Sequence, residues 1–174
     1  MGSIMRTMKP RMLTIVLAFA LVLASSASAF TRLTQLEAKL PTAAIVYCAD
    51  SEQEWIDYAG EDVEGVVASF TQHEIRFPPT ICRALATGPS DVAFGRAAQV
   101  LYHEWAHVAF QSSDEGFVDC IAVIEMRYLL RHYWQVSARI AQPLYLQAWS
   151  RHVASPPQYQ GTCSFEQRDP LGAY

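Results

Sequence analysis

Residues 101–120 read LYHEWAHVAFQSSDEGFVDC, with two histidines, two glutamates, two aspartates and a cysteine in twenty positions. Ala97, Val100, Leu101, Val108 and Ala109 make the helical segment that enters this stretch strongly apolar. Histidines and a glutamate in such a helix are costly unless something satisfies them. His103-Glu104-Trp105-Ala106-His107 fits H-E-x-x-H. On a helix, positions four apart share a face, so both imidazoles can reach one ion. Zinc bound by histidine needs a third protein ligand and leaves a fourth position for water. Glu104 lies beside His103, where its carboxylate can take a proton from a water acidified by the metal as that water attacks a carbonyl.

The third ligand decides what kind of site this is. A glycine at 110 and a histidine at 113 would make the metzincin pattern, but Phe110 and Ser113 exclude it. Glu115 and Asp119 lie four apart at the start of a second helical stretch. H-E-x-x-H followed by E-x-x-x-D resembles the gluzincins, the thermolysin-like zinc peptidases, over about twenty residues. The resemblance implies Zn2+ held by His103, His107 and Glu115, with Glu104 as general base. It also implies that Asp119 orients His103. Fold and activity would be those of a zincin-like peptidase acting on a peptide or protein substrate. Seven residues separate His107 from Glu115, fewer than in the better-known gluzincins. A turn through Gln111-Ser112-Ser113 would return the chain as an antiparallel helix, a minimal version of that fold.

Two other readings of the same residues stay open. Ser112-x-x-Glu115 fits a capping box, which would occupy Glu115 and leave Asp119 as third ligand, as in the aspzincins. Cys120 as a thiolate ligand is the third option.

Outward from this stretch, the sequence reads as an α+β domain. On the N-terminal side, residues 43–48 look like a buried strand and residues 51–58 like a short capped helix. Residues 65–70 and 73–77 look like a strand pair, ended by Pro78-Pro79. Strand 73–77 is a candidate cleft edge on which an extended peptide could pair. On the C-terminal side, helices are expected over residues 91–111, 114–134 and 137–151, the last kinked or split by Pro143. The tail from Pro156 is loop-like and held by Cys163.

Residues 1–29 combine Arg6, Lys9 and Arg11, an apolar run from Met12 to Ala24, and Ala27-Ser28-Ala29. That is the pattern of a secretory signal peptide cleaved near Ala29. The expected organisation is therefore a leader over 1–29 and one domain over 30–174, exported to a periplasm, cell surface or medium. Membrane contact would arise only through an uncleaved leader. The whole chain carries 13 basic and 17 acidic residues. Removing the three leader bases leaves 10 against 17, a formal charge of −7. An acidic domain without a Lys/Arg cluster excludes nucleic acid as a partner. Cys48, Cys82, Cys120 and Cys163 all follow the leader, and four cysteines in an exported chain imply two disulfides. Three connectivities are possible. Cys48–Cys82 with Cys120–Cys163 is the one expected, because it ties the N-terminal strands and staples the tail to a helix.

Of the remaining polar residues, Tyr128, His132 and Tyr133 are candidates to hydrogen-bond a tetrahedral intermediate, beside a plain core role. His73 and His152 read as surface or loop histidines. The alternative to an enzyme is a catalytically inactive exported zinc module on the same scaffold, whose metal would be closed by a fourth protein ligand.

Overall fold

Ile45–Ala49 (β2) alternates apolar side chains, with Val46 and Cys48 buried, as a strand covered on one face requires. The structure, a computed structural model, describes residues 30–89, 91–161 and 163; the leader over 1–29 lies outside them. Around β2 a four-stranded sheet assembles in the order β1-β2-β4-β3. Its other strands are β1 (Phe30–Arg32), β3 (Val66–Ser69) and β4 (Glu74–Phe77). β1 pairs antiparallel with β2, β2 parallel with β4 (Val46 opposite Ile75, Cys48 opposite Phe77), and β3 antiparallel with β4.

This order corrects one expectation. Strand 73–77 is internal, between β2 and β3, so it offers no free edge to a peptide. Its Ile75 and Phe77 are fully buried, which suits a central strand. The edge strand on that side is β3.

Three short elements lie outside those expected from the sequence pattern. They are β1, a turn of helix at Thr34–Glu37 (α1), and a helix at Pro79–Thr87 (α3). Pro78-Pro79 does end β4, but Pro79 then occupies the first helical turn, where its missing N–H costs nothing. α2 (Glu52–Ala59) has Ser51 as N-cap, accepting from Glu54 N at 3.2 Å. Its Trp55 donates to Val63 O at 2.7 Å and so fixes the loop that leads into β3.

The helical half follows as α4 (Val92–Phe110), α5 (Glu115–Tyr133) and α6 (Ala138–Ala154), then a 3-10 turn at Pro157–Tyr159. α4 is the hub. It packs on α3, α5 and α6 and touches β3 and β4. Its Ala97, Ala98, Leu101, Tyr102, Trp105 and Ala106 are fully buried. α6 runs unbroken through Pro143, against the expected kink or split. Pro143 and Arg139, whose carbonyl loses its partner, are both exposed, so water can satisfy that group. One contiguous apolar core joins sheet and helices, and the fold is α+β.

Two disulfides tie the layers. Cys48–Cys82 joins β2 to α3 with Cα atoms 6.3 Å apart, and Cys120–Cys163 joins α5 to the chain beyond the 3-10 turn at 5.4 Å. Among the described residues no helix is long and apolar enough to cross a membrane.

Candidate metal centre

α4 brings His103 and His107 to the floor of a cleft of about 610 Å3. The helix ends at Gln111, whose left-handed backbone (φ 51°) turns the chain sharply. The turn sets His107, because Ser112 O lies 2.7 Å from His107 Nδ1. A carbonyl only accepts, so the proton sits on Nδ1 and the Nε2 lone pair faces the cleft. His103 Nε2 lies 3.2 Å from His107 Nε2.

Glu115 is the first residue of α5, and the capping-box reading of it is corrected. Asp114 is the N-cap and accepts from Phe117 N at 3.0 Å, while Ser112 Oγ accepts from Asp114 N at 3.1 Å. Glu115 is thus released from capping. Its Oε2 stands 3.1 Å from His103 Nε2 and 3.5 Å from His107 Nε2. Ligands held at 2.0–2.1 Å around a tetrahedral zinc stand about 3.3–3.4 Å from one another. The observed triangle of 3.1, 3.2 and 3.5 Å fits that spacing. Two imidazoles and a carboxylate also make a donor set that zinc accepts. His103, His107 and Glu115 therefore form a group close enough to hold a metal ion.

Asp119, one turn along α5, faces the back of His103 and lies outside the triangle. Its Oδ1 is 3.5 Å from His103 Nδ1. Its Oδ2 is 2.5 Å from His152 Nδ1. His152 is a second correction. It is buried on α6, not a surface or loop histidine. The signal was present, because Ala141, Leu144, Ala148 and His152 share the inner face of α6 at helical spacing. His152 Nε2 in turn lies 3.3 Å from Cys163 Sγ. Cys120 is in a disulfide, which removes the thiolate-ligand option. His73 is exposed in the turn before β4.

The electrostatics follow from this packing. Burial lowers the His103 pKa, but hydrogen bonds to Asp119 and Glu115 outweigh it and lift it to about 9. His107 is pushed down by burial, against its bond to Ser112. The hydrogen bond to His103 holds Glu115 below the usual carboxylate range. For Asp119 burial acts upward, yet its bonds to His103 and His152 keep it low.

Glu104 is buried, lines the cleft and makes no hydrogen bond to a described residue. Burial raises its pKa to about 7, partly offset by His103. It packs against Gly65, the residue before β3. A Cβ there would meet Glu104 Cγ and Phe77 Cε1 at 2.9 Å, so only glycine leaves this space.

Tyr128 stacks on His132 and Tyr133 meets His132 edge-on, with ring centroids 5.2 and 4.8 Å apart, and none of them lines the cleft. Phe70 and Tyr159 are the cleft's aromatics, and the one beside His103 is Tyr159 on the 3-10 turn, its ring 6.1 Å from that of His103. Burial and the nearby Glu115 and Glu104 raise its pKa. Nothing in the tail's composition marked it, since a disulfide brings it there.

Compared with known protein families, curated proteins and solved structures, the chain gives no match.

Proposed function

We propose that this protein is a small exported zinc peptidase with a gluzincin-like ligand set. One observation carries the reading: His103 Nε2, His107 Nε2 and Glu115 Oε2 converge within 3.5 Å in an open cleft, with Glu104 beside them. A bound zinc ion would supply Lewis acidity to the attacking water and the substrate carbonyl. Glu104, with a pKa raised to about 7 by burial, is poised to accept the water's proton and return it to the leaving amine. Ser112 and Asp119 fix the two imidazole rings from behind. Tyr159 overlooks His103 and takes the intermediate-stabilising role, since Tyr128, His132 and Tyr133 do not line the cleft. β3 lines the cleft through Val66 and Val67 and gives an extended peptide main-chain groups to pair with.

The reading of an inactive zinc module calls for a fourth protein ligand. Among the described residues the group has three, and it opens on the cleft. Two disulfides suit an oxidising, exported setting. The test is hydrolysis of a mixed peptide pool by the zinc-loaded protein. Glu104→Gln should keep the metal and lose at least 100-fold in rate. Equal rates for wild type and Glu104→Gln would remove the peptidase assignment.

A further inference from the structure

Gln99 lies on α4, four residues before His103 and on the same face, and both line the cleft. It is a buried polar residue, only 4% exposed. Its Oε1 accepts from Arg151 Nε of α6 at 2.7 Å. Arg151 also directs Nη2 at Gly95 O, 3.5 Å away, so the guanidinium is held between the two helices. An arginine only donates, and this fixes the amide's orientation, with oxygen toward Arg151 and nitrogen away from it.

That nitrogen makes no hydrogen bond to any described residue, yet it is not among the buried side-chain atoms sealed from solvent without a partner. With the rest of the residue enclosed, the donor's open side is the cleft. We propose that Gln99 is a substrate-positioning residue, fixed by Arg151, whose side-chain amide donates to a backbone carbonyl of a bound peptide. The inference rests on the peptidase reading and deepens it. The four residues from Gln99 to His103 advance about 6 Å along α4. An extended peptide advances about 3.3 Å per residue, so the carbonyl concerned is one to two residues from the bond under attack.

The test uses two ligands on the zinc-loaded protein: an N-acyl dipeptide hydroxamate, and the same compound with its peptide carbonyl reduced to methylene. Calorimetry measures both, with acetohydroxamate as a metal-only control and peptide hydrolysis followed on the same samples. Wild type should bind the carbonyl compound about five- to tenfold more tightly than the reduced one. Gln99→Glu keeps an acceptor for Arg151 while removing the donor. It should erase that preference with metal content and acetohydroxamate affinity unchanged, and Gln99→Leu should do the same if it folds. A preference that survives in Gln99→Glu, or is absent from wild type, overturns the proposal. A wild type that shows the preference but cleaves no peptide retains Gln99 and overturns the peptidase reading. Cleavage without the preference does the reverse, and a wild type that takes up no metal contradicts both.

Discussion

The cleft has two sides, and they are held by different means. On one side α4 and α5 carry His103, His107 and Glu115 on helices whose other faces are core, with Trp105, Ala106 and Ala122 fully buried. On the other, residues 155–163 carry Tyr159 on a 3-10 turn with no buried residue. That segment is kept in place by the Cys120–Cys163 bond and by a backbone contact so close that a Cβ on Gly161 would strike the Gly116 carbonyl. Ligand geometry therefore comes from packing, and the facing lip from a covalent tie. Damage to the two sides should give different symptoms.

The largest effect is expected on the packed side. Trp105→Ala removes a fully buried ring and its hydrogen bond to Thr42 Oγ1 at 2.9 Å. It should cost about 3–5 kcal/mol in urea unfolding and weaken the metal site with the fold. Removing the tether comes next. Cys120→Ala with Cys163→Ala opens a link across 43 residues and should cost about 2–4 kcal/mol. Metal should still bind one to one, with the loss falling on peptide turnover. If this double variant lost its metal, the division between the two sides would be wrong.

A smaller effect should come from the link between them, where Asp119 faces both His103 and His152. Asp119→Asn should lower zinc affinity about 10- to 100-fold, read by competition with a chelating dye. An unchanged affinity would reduce Asp119 to a core contact.

The smallest effect is in protons. In the metal-free protein the His103 pKa is raised from 6.5 to about 9, so the stability it contributes is complete below 6.5 and fades as pH rises through 9. Glu104, raised from 4.5 to about 7, acts in the same direction, because the folded state holds its proton more tightly than the unfolded chain does. Thermal unfolding of the metal-free protein should therefore shift to lower temperature from pH 5 to pH 9. Zinc must displace the His103 proton, so at pH 7.5 uptake should release about one proton, counted by calorimetry in buffers of different ionisation enthalpy. Zero release would contradict the charged His103.

The packed side was also the legible side. H-E-x-x-H spacing fixes two imidazoles on one face whatever surrounds them, and E-x-x-x-D does the same for Glu115 and Asp119, so local periodicity was enough. The tethered side was not legible. Helical spacing puts His152 on the inner face of α6, but that it meets Asp119 depends on a helix crossing, and Tyr159 reaches the site through a disulfide, which leaves no mark at short range. The sheet divides in the same way. The apolar runs of β2, β3 and β4 were readable, but the parallel pairing that buries β4 between two neighbours depends on contacts distant in sequence. At Glu115 the sequence allowed capping or ligation, and the side chain of Asp114 decided between them.

The central claim is that His103, His107 and Glu115 form one metal site, and metal content tests it most directly. Wild type, His107→Ala, Glu115→Gln and Glu104→Gln would be loaded with zinc, dialysed and measured by elemental analysis. One zinc per chain is expected in wild type and Glu104→Gln, a weakened complement in Glu115→Gln, and none in His107→Ala. A wild type without metal, or zinc retained in full by both His107→Ala and Glu115→Gln, would contradict the account.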